Sequence, residues 1–420
     1  MADRKPATES ALRVGALCFL ITMFEGFDLQ IMGVLAPTIR DSIEISPGEL
    51  GGVFGAATLG LLAGALIAGV LADVIGRKPT LVASIVVFAV CTGATALAAS
   101  PEQLMLARFA TGLGLGGAMP CVAAIAAEAV GEKRSGVAFV TIMFAGMPFG
   151  GAFSSLAVAL WPGEISWRDI FAWAGAAQLG LALLIWVRMP ESGAFLRGRR
   201  QGLEPNLEPS AQSRQPIETT HWFAVAGLCV AFFFTLLSLH FFLNWLPSML
   251  TAQGFSGREA AFVAFAFGLS GALASLPAAV LARRGFTRLI MFAAYAGLAL
   301  ASAAPSAFGT GLSGALVTAV VVGTCLIGAQ MVLYGLAPGF FAAHMRGRGV
   351  GVTIASGRLG SFIGPTAAGV LLGAGWSHGE VMALNAPAAA LSAFAVIAAV
   401  SLASATATKD QVELAAIRPE

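Results

Sequence analysis

The chain has 420 residues, of which 57% are hydrophobic and only 11% charged, with a formal net charge of +2 and a mean hydropathy of +0.84. A soluble domain carries about 25% charged residues, so too little charge is left to cover a water-facing surface, and a soluble fold is excluded. Apolar runs of roughly 20 residues, the length of a membrane-crossing helix, lack the alternation of barrel strands, and the near-neutral balance gives no sign of a nucleic-acid partner.

In chain order the runs predict helices over 14–36, 50–72, 79–99, 102–126, 136–160, 168–189, 221–247, 258–282, 287–305, 311–335, 349–373 and 380–404. Ahead of the first, Met1 to Arg13 is polar and basic, and no small-residue cleavage site follows, so a cleaved signal peptide is not expected. The expected fold class is an all-α membrane protein of twelve transmembrane helices in two parallel six-helix halves. An N-terminal half would span 1–189, a linker 190–220, a C-terminal half 221–404 and a tail 405–420. The linker is rich in Arg, Gln, Pro and Glu and has too few apolar residues to form a core. On either side of it the chain repeats weakly: Val70-Leu71-Ala72-Asp73 returns as Val280-Leu281-Ala282-Arg283, and Arg134-Ser135-Gly136-Val137 returns loosely from Arg346. Parallel repeats of this kind place a substrate site near the bilayer midplane, with alternating access around it.

Twelve spans put both termini on one side. Of the 24 Lys and Arg residues, only Arg40, Arg168 and Arg258 fall on the opposite face, with Arg108 and Arg358 inside spans. The positive-inside asymmetry therefore predicts an inner (plasma) membrane protein with both termini cytoplasmic. The five cysteines lie inside apolar runs with no metal or redox spacing and read as small packing residues. No cofactor and no catalytic nucleophile–base pair is indicated, so the chain is not expected to be an enzyme.

Charges inside a span cost roughly 2.5–3.5 kcal/mol each on insertion scales, which makes each a functional candidate. Glu25 and Asp28, three apart on the first helix, share a face. Two partly desolvated carboxylates suit proton coupling, Asp28 the better site of the two; the bland alternative is ion pairing that only holds helices together. Arg108 and Arg358 are candidate substrate-binding residues, because a guanidinium stays charged in the membrane and grips a carboxylate with two bonds. One arginine would hold the substrate anion while the other pairs with Asp28 or Glu25. His240 on the seventh helix, and Gln330 with Tyr334 four apart on the tenth, offer polar contacts to a ring hydroxyl. Phe27, Phe144 and Phe241 are candidates for ring stacking, although core or lipid-facing Phe is commoner. The glycines 112, 114, 116 and 117 lie in a span, where close helix contact explains them better than phosphate binding.

Gly69-Val70-Leu71-Ala72-Asp73-Val74-Ile75-Gly76-Arg77-Lys78-Pro79-Thr80, between the second and third spans, resembles the signature loop of the major facilitator superfamily, and Arg108-Phe109-Ala110-Thr111-Gly112 resembles a second motif of that family. Within it, Glu25-Gly26-Phe27-Asp28-Leu29-Gln30, the run from Arg108 to Pro120, Asn244-Trp245-Leu246-Pro247 and Gly357-Arg358-Leu359-Gly360 resemble the aromatic acid:proton symporters, in their 3-(3-hydroxyphenyl)propionate branch. Glu25 stands where that family usually has Asp, and Arg283-Arg284 replaces the acidic position of the loop's second copy.

The resemblance implies proton-coupled uptake of an aromatic carboxylate such as a hydroxyphenylpropionate or hydroxybenzoate, by a monomer driven by the proton gradient. It implies Arg108 facing Asp28, and a gate in which Asp73 caps the start of the eleventh helix while Arg77 meets Glu128. The competing expectation is a proton-coupled efflux antiporter; the deep arginines favour an anionic cargo. A transporter-like sensor is a third reading, weakened by the short linker and tail.

Overall fold

The computed structural model describes residues 5–130, 143, 145–161, 166–192, 222–303, 311–341 and 346–416, without the side chains of 5–11, 127, 129, 130, 283, 346–348 and 403–416. Most of the predicted linker, Lys133, Arg134, Phe144 and most of the first turns of the predicted fifth span lie outside the described residues.

Twelve long helices carry the described chain: α1 Lys5–Ile43, α2 Pro47–Ile75, α3 Arg77–Thr95, α4 Pro101–Val130, α5 Gly146–Leu160, α6 Trp167–Arg188, α7 Trp222–Ala252, α8 Gly257–Leu281, α9 Thr287–Ala303, α10 Gly311–Leu336, α11 Arg346–Gly373 and α12 Asn385–Ala416. Each grows from one predicted apolar run; α3 stops at Thr95, short of the predicted 99, while several, such as α1, α2 and α7, overrun theirs because helical bonding continues into flanking sequence. The last goes furthest. Its backbone stays helical through 405–416, the stretch predicted as the start of a tail. Among the described residues, ten helices are long and apolar enough to cross a membrane. The other two are α5, of which 15 residues are described, and α11, which carries Arg346, Arg348 and Arg358.

The helix starts follow local chemistry. Ser46 and Glu49 form a capping box at α2, in which the serine hydroxyl accepts from the Glu49 N–H and the carboxylate accepts from the Ser46 N–H. Ser256 and Glu259 do the same at α8, and Ser377 and Glu380 at a short helix, His378–Ala383, just before α12. Between α2 and α3 the turn is a single residue, Gly76, at φ 104°, a conformation that side-chain-bearing residues avoid.

The described residues pack as two compact units. The first comprises Met1–Ser210, Leu243–Phe265 and Pro365–Gly373; the second comprises Ala211–Phe242, Ala266–Gly364 and Ala374–Glu420. In the first, α2 lies on α4, α4 on α3, α1 on α5 and α3 on α6. The α2–α4 seam is made of glycine: a Cβ on Gly112 or Gly116 would overlap the carbonyl oxygens of Ala57 or Leu61, and one on Gly60 or Gly64 those of Phe109 or Leu113. On α3, a Cβ at Gly114 would meet the Phe88 backbone, and one at Gly117 the Ser84 hydroxyl. Close helix contact thus accounts for the glycine run. The Asn244-Trp245-Leu246-Pro247 motif also has a packing role in this unit. Trp245 donates its indole N–H to the Pro365 carbonyl (3.0 Å) and meets Phe54 edge-on.

In the second unit α9 packs on α10 and α12. The Thr235 and Tyr295 hydroxyls join α7 to α9 through a buried bond of 2.6 Å. Gly360 and Gly364 bring α11 against the α7 backbone at Phe233 and Leu237.

Candidate functional site

A buried ion pair in the first unit is the most distinctive chemical feature of the chain. α1 brings Asp28 and α4 brings Arg108 to the same depth, and both are almost wholly excluded from solvent, at 0% and 1% exposure. The guanidinium forks onto the carboxylate: Nη1 donates to Oδ1 at 3.1 Å and Nη2 to Oδ2 at 2.6 Å, with a long contact from Nη2 to the Asp28 carbonyl at 3.5 Å. Thr92, from α3, donates its hydroxyl to Oδ1 at 3.2 Å. The Phe171 ring of α6 lies 5.9 Å from the guanidinium carbon. Four helices therefore contribute to one charge cluster. Two charges in a low-dielectric interior are tolerated because each neutralises the other with good geometry, and removing either would strand its partner.

Glu25 is buried as well, at 2% exposure, one turn before Asp28. Of the two carboxylates it is Asp28 that receives the Arg108 fork. Phe27 turns to another side of α1. It lies 6.4 Å from Phe153 and lines an apolar pocket of about 450 Å³ between α1, α5 and α6, together with Met23, Trp161 and Trp173.

The turn between α2 and α3 carries a second polar cluster. Arg77 pairs with Glu128 near the end of α4. Sequence reading missed two participants. The Ser192 hydroxyl bonds both Glu128 oxygens, at 3.0 and 2.8 Å, and the Glu191 carboxylate accepts the Lys78 N–H at 3.0 Å and the Ser192 N–H at 2.8 Å. The stretch 190–192 thus fastens the end of the first six helices to the signature turn, although by composition it looked like the start of a linker. Asp73 is exposed near the end of α2.

In the second unit His240 is buried on α7, its Nδ1 3.1 Å from the Leu236 carbonyl. A ring nitrogen there donates to that carbonyl, leaving Nε2 as the second polar atom of the ring. Arg358 on α11 is half-buried and lies close enough to interact electrostatically with His240. On α10, Gln330 Nε2 is 3.5 Å from the Tyr334 hydroxyl, and the Tyr334 ring meets Phe232 edge-on. Phe241 packs edge-on against Phe242. All five cysteines are free thiols, with Cys18 and Cys121 buried. No group of acidic, histidine or cysteine side chains suited to a metal ion occurs among the described residues.

Comparison with known proteins places this architecture. Over 94% of its length the chain is 36% identical to the 3-(3-hydroxyphenyl)propionate transporter of Escherichia coli K12, covering 96% of that protein. It is 31% identical to the 4-hydroxybenzoate transporter PcaK of Pseudomonas putida, over 97% of this chain and 96% of that one. A gallate transporter of the same species is 29% identical over 94% of this chain and 93% of its own. Among solved structures, a D-xylose–proton symporter superimposes with a TM-score of 0.72 at 16% identity, covering 93% of this chain and 96% of the other, a likeness of fold alone. The family model described as Major Facilitator Superfamily matches residues 18–365. With that match running from α1 into α11 and aromatic-acid transporters aligned along almost the whole sequence, the chain belongs to the major facilitator superfamily, as a multi-pass membrane transporter related to those of aromatic acids.

Proposed function

We propose that this protein carries an aromatic carboxylate, of the hydroxyphenylpropionate or hydroxybenzoate kind, inward together with a proton by alternating access. One observation carries the reading: the Asp28–Arg108 fork, buried at 2.6 Å within spanning helices. The names of the relatives support the substrate class.

In the proposed cycle Asp28 takes a proton and becomes a neutral acid. Arg108 then lacks a counter-ion and accepts the carboxylate of the cargo. The empty carrier, with its internal ion pair, and the loaded carrier, with a protonated acid and a bound anion, are both neutral at this cluster. Each can rearrange without moving an unpaired charge through a low-dielectric interior. Glu25 is assigned to proton coupling beside Asp28. His240, Gln330, Tyr334 and Arg358 are assigned to recognition of the cargo. Asp73, Arg77 and Glu128 are assigned to gating, Asp73 by facing the positive end of a helix dipole. The Lys and Arg distribution supports an inner-membrane protein with both ends in the cytoplasm.

The test is uptake into proteoliposomes of benzoates, phenylacetates, cinnamates and phenylpropionates, with and without an imposed pH gradient. Accumulation should follow the gradient for the wild type and vanish for Asp28→Asn. Full gradient-driven accumulation by Asp28→Asn, or export without any inward movement, would refute the reading.

A further inference from the structure

Gln178 sits in the middle of α6 at 0% exposure, and neither its Oε1 nor its Nε2 meets a hydrogen-bonding group among the described residues. The Arg108 Nε is a second buried nitrogen in the same unit and the same condition. Folded proteins satisfy nearly all such atoms, with protein or with buried water.

Contacts along α6 fix the depth of Gln178. Gly175, three residues earlier, packs against the backbone of Ala89 and Gly93 on α3, and Thr92, on that same stretch of α3, donates to Asp28. Gln178 therefore enters the core one to two helical turns from the ion pair. Helical side chains lean toward the N-terminus of their own helix. On α6 that lean runs from Gln178 toward Gly175 and Phe171, and Phe171 is the ring beside Arg108. In the other direction Leu181, Ala182 and Ile185 join Leu17, Ile21, Ile85 and Val122 in a cluster whose polar groups are two thiols, weak hydrogen-bonding partners, on Cys18 and Cys121. The buried charges, Asp28 and Arg108, lie in the direction of that lean, where the Phe171 ring meets the guanidinium.

We propose that Gln178 is a positioning residue for the coupling step: with the Arg108 Nε it holds a buried water beside the ion pair, and this hydrated amide supports the guanidinium when Asp28 takes a proton. The inference rests on the proton-coupled reading above. In that step the carboxylate gains the proton, Arg108 keeps its charge, and hydrogen bonds lost from Asp28 pass in part to the water and the Gln178 carbonyl oxygen. Few other ionisable groups face Asp28. Arg108 on α4 grips it and Glu25 lies one turn earlier on α1; where α7 and α8 meet α1 at Gly33 and Gln30, α7 carries none from Leu243 to Ala252 and α8 has only Arg258 and Glu259, at its start. At this depth α2, α5 and α6 carry no Asp, Glu, His, Lys, Arg or Cys.

The sign of the effect follows. Without the amide the freed guanidinium is less well supported, protonation of Asp28 is harder, and uptake needs more acid. Gln178→Met, which keeps the volume but not the polarity, should shift the pH of half-maximal uptake by about one unit to lower pH, a tenfold change in proton demand. Gln178→Asn should restore most of the shift. A second readout is independent of transport: radiolytic hydroxyl-radical labelling, which marks residues beside ordered water, should label the buried Phe171 in the wild type and not in Gln178→Met. An unchanged pH profile in Gln178→Met overturns the coupling role, and Phe171 unlabelled in the wild type overturns the water site. Wild-type uptake that ignores pH, with Phe171 labelling still dependent on Gln178, would refute proton coupling and leave the water site supported.

Discussion

Arg108→Met isolates the energetics of the buried charge pair. The substitution keeps the length of the side chain and removes both donors that reach the Asp28 carboxylate, at 3.1 and 2.6 Å, leaving Thr92 at 3.2 Å as its remaining side-chain donor among the described residues. Stranding one member of a buried ion pair costs about 3–5 kcal/mol, far above the roughly 0–1 kcal/mol of an exposed pair. The fully buried geometry here belongs to the first class. Removing both charges together, in Asp28→Leu with Arg108→Met, should recover most of the loss, because well-packed apolar replacements of buried pairs are often neutral or better. Detergent-titrated unfolding of the purified protein, followed by the fluorescence of its seven tryptophans, reads all four corners of the cycle. The expected coupling energy is about 3 kcal/mol, the upper end for directly interacting residues. A loss below about 1 kcal/mol for Arg108→Met, or strict additivity of the two single changes, would refute the claim that the pair is desolvated and mutually dependent.

A methyl group at Gly116 should cost about 1–3 kcal/mol in thermal or chemical unfolding, because it must displace the Leu61 backbone. Gly69→Ala, on the same α2 with nothing near, should be neutral or gain up to about 1 kcal/mol; equal effects at the two positions would contradict the seam. Glu128→Gln should lower stability by less than about 1 kcal/mol, since its pair with Arg77 is more than a quarter exposed on each side. If the pair gates, that variant should change the initial uptake rate, and Arg77→Glu with Glu128→Arg should return the rate toward wild type. A swap that behaves worse than either single change would count against a gating role.

The helices were legible because a bilayer imposes a length on apolar runs, and twelve such runs are plain in the sequence. Their ends were not, because the hydrogen bonding that extends α1 to Ile43 and α12 to Ala416 does not depend on hydropathy. Glu25 and Asp28 stood out as charges in a span. Spacing of three puts them only about 60° apart on a helix, so spacing could not decide which one Arg108 would grip; Thr92 and the depth of α4 decide that. Glu191 and Ser192 left no local signal, because their partners are 113 and 64 residues away. Gln178 did leave one. It is a lone amide within an otherwise apolar stretch of α6, and an uncharged amide stands out in a span far less than an ionisable group does.

The glycine seam between α2 and α4 has a mechanical corollary. Most helix interfaces can creep, since interdigitated side chains exchange rotamers and let one element slide past its neighbour. Backbone seated on backbone has no such slack: a slip of one residue would drive the Cβ of a neighbouring alanine, leucine or threonine toward a carbonyl oxygen. The two helices must travel as one lever, so whatever motion α2 makes at its signature turn is delivered undamped to the arginine on α4.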